Sequence, residues 1–172
     1  MSSIESPFKS ISILYRKSHI WLNNGCAQYG LTAPQALVIL IVCDFKSMTQ
    51  EDITKQLSLD KSVIAKTVSK LVETKFLIRT PNAKDKRTYD IVPTEKAWAA
   101  YPFVKQQIDD CFHHMTRQMT EQEQEEFRRL LMLAAETTIG CLNRIIRAVK
   151  KLNWKSGIPW KRDAAFCMAI CQ

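Results

Sequence analysis

Between Lys55 and Arg87 the chain carries nine lysines or arginines and only three acids. Within KSVIAKTVSKLVE, the residues Lys61, Ser62, Ala65, Lys66, Ser69 and Lys70 share one face if the segment is helical. Three are cations, two are small hydroxyls and one is a small apolar residue. Such a surface suits a polyanion, because ammonium groups meet phosphates while short side chains let a helix approach base edges. A few residues later KDKR places Lys84, Asp85, Lys86 and Arg87 in a short polar loop. Its cations can reach a phosphate backbone or a narrow minor groove, where the negative potential favours Arg. Asp85 stands two residues before Arg87, close enough to pair with the guanidinium and orient it. The indicated chemistry is recognition of double-stranded DNA. A solvated helix face and an ordinary polar turn are the plain alternatives for either segment taken singly.

The reverse side of the cationic face is equally regular. Ile64, Val68, Leu71 and Val72 point inward at spacings of three and four, which predicts a helix with Asp60 as its N-cap. Before it, Thr49 opens TQEDITKQLSL, with Gln50, Glu51 and Asp52 at the positive dipole end and Ile53 and Leu57 inward. Two capped helices joined by a turn at Ser58-Leu59 make a helix-turn-helix candidate. After Phe76 the period changes. Phe76 to Thr80 and Thr88 to Val92 are enriched in β-branched and aromatic residues and flank PNAKDKR, predicting a β-hairpin with a basic tip.

Further helices frame this region. Pro7 to about Asn24 is amphipathic through Phe8, Ile11, Tyr15, His19 and Leu22, and is expected to close in left-handed geometry at Asn23-Asn24-Gly25. Thr32 and Gln35 fit a capping box ahead of the apolar run ALVILIVCDF, which reads as a buried helix. Pro93-Thr94-Glu95 starts a long helix expected to reach about Met119. A second capping box, Thr120 to Glu123, opens a final helix with Phe127, Leu130, Leu131, Ala134, Thr138, Cys141, Ile145 and Val149 on one face.

Composition narrows the classes. A chain of 172 residues, 46% hydrophobic, is long enough to bury a core. Its net charge of +8 and pI near 9.3 favour an anionic partner. Four glycines and three histidines leave no nucleotide-binding loop and little acid–base equipment. No Ser/His/Asp set appears, so an enzyme is not expected, and no cofactor is called for. Cys111, His113 and His114 lack further ligands and no CxxC pair occurs, so no metal is expected either. The N-terminus lacks an apolar signal core, and the run from Ala36 to Cys43 is too short for a bilayer span of about 20 residues. The expectation is a cytoplasmic chain, with no membrane partner and reduced thiols.

Helix-turn-helix, then a D-x-R wing in NAKDKRTYDIVPTEKA, then a long helix: this order resembles the MarR family of winged-helix transcription regulators. LTAPQALVIL is similar to the family's second helix and TQEDITKQLSLDKSVIAKTVSKLVETKFLIR to its helix-turn-helix. The resemblance implies a mainly α fold, a winged helix-turn-helix DNA-binding domain with a small β-hairpin wing and a helical dimerisation domain. The implied divisions are an N-terminal dimerisation helix over 1–30, the winged domain over 31–95, C-terminal dimerisation helices over 96–153 and a tail over 154–172. It implies a homodimer on a pseudo-palindrome, acting most simply as a repressor, with recognition helices about 34–36 Å apart in successive major grooves. Three positions depart from the family pattern. Phe76 stands where Gly usually ends the recognition helix, so it must be strained or the helix must end differently. Pro93 replaces a common Leu and Ala97 a common Gly.

The resemblance also implies release of DNA by a small, often aromatic or acidic, effector lodged between dimerisation helices and winged domain. Tyr15, His19, Phe45 and His113 are the candidate contacts, with ordinary boundary positions as the alternative. A redox-responsive regulator would instead use an exposed thiolate, for which Cys26, Cys167 and Cys171 are candidates. A third reading is a winged-helix interaction module that does not read DNA sequence. From Arg144 to Arg162 the tail carries seven cations and no acids, followed by the apolar AAFCMAIC.

Overall fold

A computed structural model describes residues 6–83 and 85–151, with side chains as far as Cys141 in the last helix. In chain order the elements are α1 (Pro7–Gly25), a 3-10 turn (Cys26–Tyr29), α2 (Ala33–Phe45), β1 (Met48–Thr49), α3 (Gln50–Leu57), α4 (Lys61–Glu73), β2 (Leu77–Pro81), β3 (Tyr89–Pro93), α5 (Glu95–Thr116) and α6 (Glu121–Lys151). They divide into two units, Met1–Gln118 and Met119–Gln172. The mainly helical content with a small antiparallel sheet is the winged-helix architecture implied by the resemblance.

The first unit is built around α2. Thr32 N–H donates to Gln35 Oε1 at 2.8 Å, so the capping box fixes the start of this helix. Ala36, Val38, Ile39, Val42 and Cys43 are buried and meet Ile53 of α3, Ile64, Val68 and Leu71 of α4, Leu77 and Ile91 of the sheet, and Ala97, Ala100 and Val104 of α5. Truncating one such side chain, for instance Ile39→Ala, costs about 2–5 kcal/mol. α1 and α5 pack together, and α5 also lies against α2.

The close of α1 differs from expectation. Gly25 stays right-handed (φ −62), and the chain continues into the 3-10 turn until Gly30, at φ 66, ends it. Gly25 instead lies against the end of the Gln107 side chain of α5, which would have to move to admit a Cβ there. Asn23 accepts the Ala33 N–H on its Oδ1 at 2.7 Å, tying the end of α1 to the start of α2.

Thr49 does two jobs. It pairs with Asp90 as part of β1, a two-residue strand the sequence reading lacked, and it caps α3. Asp52 N–H reaches Thr49 Oγ1 at 3.2 Å, and Thr49 N–H reaches Asp52 Oδ2 at 3.3 Å. The sheet order is β1-β3-β2, all antiparallel, with Leu77 opposite Pro93 and Arg79 opposite Ile91. Both hairpin strands begin one residue later than predicted.

The ends of α4 also carry corrections. Asp60 occupies the N-cap position, but its side chain makes no cap bond; its backbone carbonyl accepts from Val63 and Ile64. At the other end Phe76 N–H bonds Leu71 O at 2.9 Å and Lys75 N–H bonds Val72 O at 3.0 Å. That pair of bonds is a Schellman closure, and its left-handed residue is Lys75 at φ 61. Phe76 therefore escapes the strain and is buried in the core. α5 ends at Thr116, three residues before the expected Met119.

In the second unit, Thr120 and Glu123 form the expected capping box, with Glu123 N–H to Thr120 Oγ1 at 3.3 Å and Thr120 N–H to Glu123 Oε2 at 2.8 Å. The Thr120 N–H, and the Thr120 hydroxyl that donates to the same oxygen at 2.9 Å, hold the Glu123 carboxyl below its usual pKa. Leu130, Leu131, Met132 and Leu133 of α6 are exposed. The Ile145 and Val149 side chains, and the tail with Cys167 and Cys171, lie outside the described residues. Among the described residues no single helix is long and apolar enough to cross a membrane.

Candidate nucleic-acid interface

Burial of Ile64, Val68 and Leu71 fixes the rotation of α4, and the opposite face emerges as a consequence. Lys61, Ser62, Lys66, Ser69 and Lys70 are exposed, while Ala65 is half-buried. Lys61 and Lys66 make no ion pair among the described residues. Lys70 is different: its Nζ lies 3.1 Å from both carboxylate oxygens of Glu73, so an incoming phosphate must compete with that acid. Exposed pairs of this type are weak, about 0.3–0.5 kcal/mol, so the competition is easily won.

The wing meets this face through a residue absent from the predicted set. Arg79, exposed on β2, donates from Nη2 to Ser69 Oγ at 2.9 Å. Nothing local in the sequence marks Arg79; it is one cation among nine, and its partner lies ten residues back. Beside it, Gln50, Arg79, Thr88, Tyr89 and Ile91 line an open groove of about 580 Å³.

The wing tip is organised by two short side chains. Asn82 Nδ2 donates to Asp90 Oδ1 at 2.7 Å, and Asn82 Oδ1 accepts the Asp85 N–H at 2.9 Å. Asp85 Oδ1 then accepts the Arg87 backbone N–H at 2.9 Å, and Asp85 O accepts from Thr88 N–H at 3.0 Å. The expected pairing of Asp85 with the Arg87 guanidinium is thus replaced by an Asx turn, in which the acid shapes the loop backbone. Lys86 and Arg87 remain exposed, and Lys84 lies outside the described residues.

The four effector candidates stand on α1, α2 and α5. Tyr15 and His19 stack on α1 with ring centroids 4.3 Å apart, Phe45 is exposed at the end of α2, and His113 is exposed on α5. A different groove, of about 600 Å³, opens between α1 and α5. Trp21 and His114 line it with rings 4.8 Å apart and 31° from parallel, and Lys17 and Arg117 add two cations. The Trp21 Nε1 is buried and has no acceptor among the described residues.

Cys26 contradicts its reading as an exposed sensor. The 3-10 turn points it into the core, where it is fully buried, and burial pushes its thiol pKa up rather than down. Cys111 is raised for the same reason, and Cys43 is pushed up to about 11 by burial and the neighbouring Asp44 charge. Among the described residues no three His, Cys, Asp or Glu side chains converge as a metal site would require.

The MarR family model matches residues 29–88, the stretch from the end of the 3-10 turn through the wing tip. Over 101 residues the chain is 24% identical to the uncharacterized HTH-type transcriptional regulator YybA of Bacillus subtilis, covering 59% of this chain and 67% of that one. Among solved structures, a MarR transcriptional regulator from Methanosarcina mazei Go1 aligns at 24% identity and TM-score 0.72, over 77% of this chain and 95% of that one. A mutant MarR from E. coli complexed with operator DNA aligns at 23% and 0.69, over 76% and 94%. A Listeria monocytogenes chain assigned to the MarR family and complexed with 26mer DNA aligns at 17% and 0.77, over 83% and 95%. At these identities the structural likeness establishes the fold.

Proposed function

We propose that the chain, whose residues 29–88 match the MarR family model, is a MarR-family transcriptional regulator: a cytoplasmic repressor that binds a pseudo-palindromic operator as a homodimer. The observation that carries this reading is the continuity of the α4 cations with the wing through Arg79 and Ser69. Lys61, Ser62, Ala65, Lys66, Ser69 and Lys70 enter the major groove, and Lys84, Lys86 and Arg87 reach the flanking backbone or minor groove. Asp85 acts by shaping the tip.

Two features support the finer parts. On α1, Phe8 is 79% exposed, and Ile11 and Tyr15 are each 63% exposed. These residues of α1, and separately the exposed leucines of α6, favour a second copy as their cover. The α1–α5 groove offers aromatic walls and two cations, which suits a small aromatic acid as effector. Such a ligand regulates only by binding the DNA-competent and incompetent states unequally.

The test is a salt titration of operator affinity. A wing and helix that neutralise phosphates give a log–log slope near −0.9 per phosphate, and Arg87→Ala weakens binding while leaving the oligomer intact. An Arg87→Ala protein with unchanged affinity would remove the wing from the mechanism.

A further inference from the structure

The last turn of α4 is held by the first turn of α5. Thr74 O accepts from Lys96 Nζ at 2.9 Å. Thr94 Oγ1 shares its one proton between Lys75 O at 2.8 Å and Phe76 O at 3.0 Å, and Phe76 O also takes the Thr94 N–H at 3.0 Å. The Lys96 ammonium lies 4.2 Å from the centroid of the Phe76 ring. These carbonyls lie at and just past the end of α4, beyond the reach of its own hydrogen-bond ladder, and a cation there also meets the negative end of the helix dipole. Lys75, left-handed without being glycine, sits in the middle of the grip.

We propose that Lys96, with Thr94, is a positioning residue for DNA recognition, fixing how α4 presents its cationic face without itself touching DNA. The inference rests on the DNA-binding reading above. Lys96 follows the helix-turn-helix and wing in sequence and stands in the first turn of α5, not on α4. Its ammonium is directed onto a carbonyl and a ring, and the salt slope of binding separates that role from a phosphate contact. α5 packs along α1 and α2, and its far end lines the α1–α5 groove. Any displacement of α5 is therefore delivered to the end of the recognition helix through Thr94 and Lys96.

The experiment uses the full chain with Lys96→Met and Lys96→Arg. It measures affinity for a duplex selected from a randomised pool, and for the unselected pool, across a range of salt. Lys96→Met lowers affinity for the selected duplex about tenfold with the salt slope unchanged, because no phosphate partner is lost. Lys96→Arg keeps a cation at the carbonyl and ring and restores most of it. Unchanged affinity in Lys96→Met overturns the inference, and so does a slope reduced by about one, which marks a phosphate contact. Should Lys96→Met fail to fold, Thr94→Val against Thr94→Ser carries the same test, since only the serine keeps the hydroxyl donor. A wild-type chain that selects no duplex counts against the DNA-binding reading; a wild type that selects one while Lys96→Met matches it counts against the clamp alone.

Discussion

Arg79 Nη2 lies 2.9 Å from Ser69 Oγ, so the first strand of the wing is bonded to the reading face of α4. The hydroxyl accepts from the guanidinium and keeps its own proton for an outward acceptor. Wing and helix are thereby presented as one surface.

Replacing Arg79 with Ala is expected to weaken operator binding by about 1–3 kcal/mol, combining a lost cation with a looser wing. Arg79→Lys recovers the charge but not the planar fork, and falls between. Fluorescence anisotropy on a labelled operator measures both. Wild-type affinity in Arg79→Ala would leave the bond without a role in recognition.

Asp85 gives a prediction whose sign separates two effects. Coulomb attraction alone says that removing an acid from a cationic tip tightens DNA binding. Loop organisation says that Asp85→Ala, which loses the acceptor for the Arg87 N–H, weakens it. We expect the second, by a few fold, with Asp85→Asn at or above wild type because its amide oxygen preserves the Asx turn. Tighter binding by Asp85→Ala would show that charge, and not loop shape, dominates at the tip.

These contacts show where sequence reading succeeds and where it stops. The Thr32–Gln35 and Thr120–Glu123 boxes and the spacing of Ile64, Val68 and Leu71 are local, so they located three helices directly. The Asn82 and Asp85 turn was visible as chemistry, but the acceptor's target, a backbone N–H instead of a guanidinium, depends on a loop path no spacing encodes. The Arg79–Ser69 bond and the two-residue β1 exist only once β2 and β3 are folded against the helices. Cys26 was misplaced because NNGCAQYG looks polar, whereas the turn that follows Gly25 rotates one small apolar residue into the core. Tyr15, His19, Phe45 and His113 were grouped by an implied junction, and of these Tyr15 and His19 are the pair in ring contact on α1.

Lys75 provides a test on stability. A side chain at φ 61 disfavours the native backbone by about 1–2 kcal/mol, and glycine removes that term while gaining freedom in the unfolded chain. Lys75→Gly is expected to be neutral or stabilising by up to about 1 kcal/mol in denaturant titrations. A loss of more than that would mean that the Lys75 side chain makes a stabilising contact of its own.

Thiol chemistry follows from burial. With its pKa pushed from 9.0 to about 11, Cys43 carries at pH 8 about one hundredth of the thiolate of an ordinary cysteine. Cys26, Cys43 and Cys111 are expected to react with a thiol reagent only as fast as the fold opens, and all at once in denaturant. The same shift makes the Cys43 contribution to stability complete below pH 9 and lost as pH rises through about 11. Rapid native-state modification of Cys26 at pH 8, located by mass spectrometry, would revive it as a sensor.

The central claim, that paired cationic helices and wings read duplex DNA, is tested most directly by selection from a randomised duplex pool. The prediction is an enriched pseudo-palindrome whose half-sites sit about one helical turn apart, matching two copies of α4. A pool that emerges without any preferred sequence, bound with uniform affinity, would contradict it.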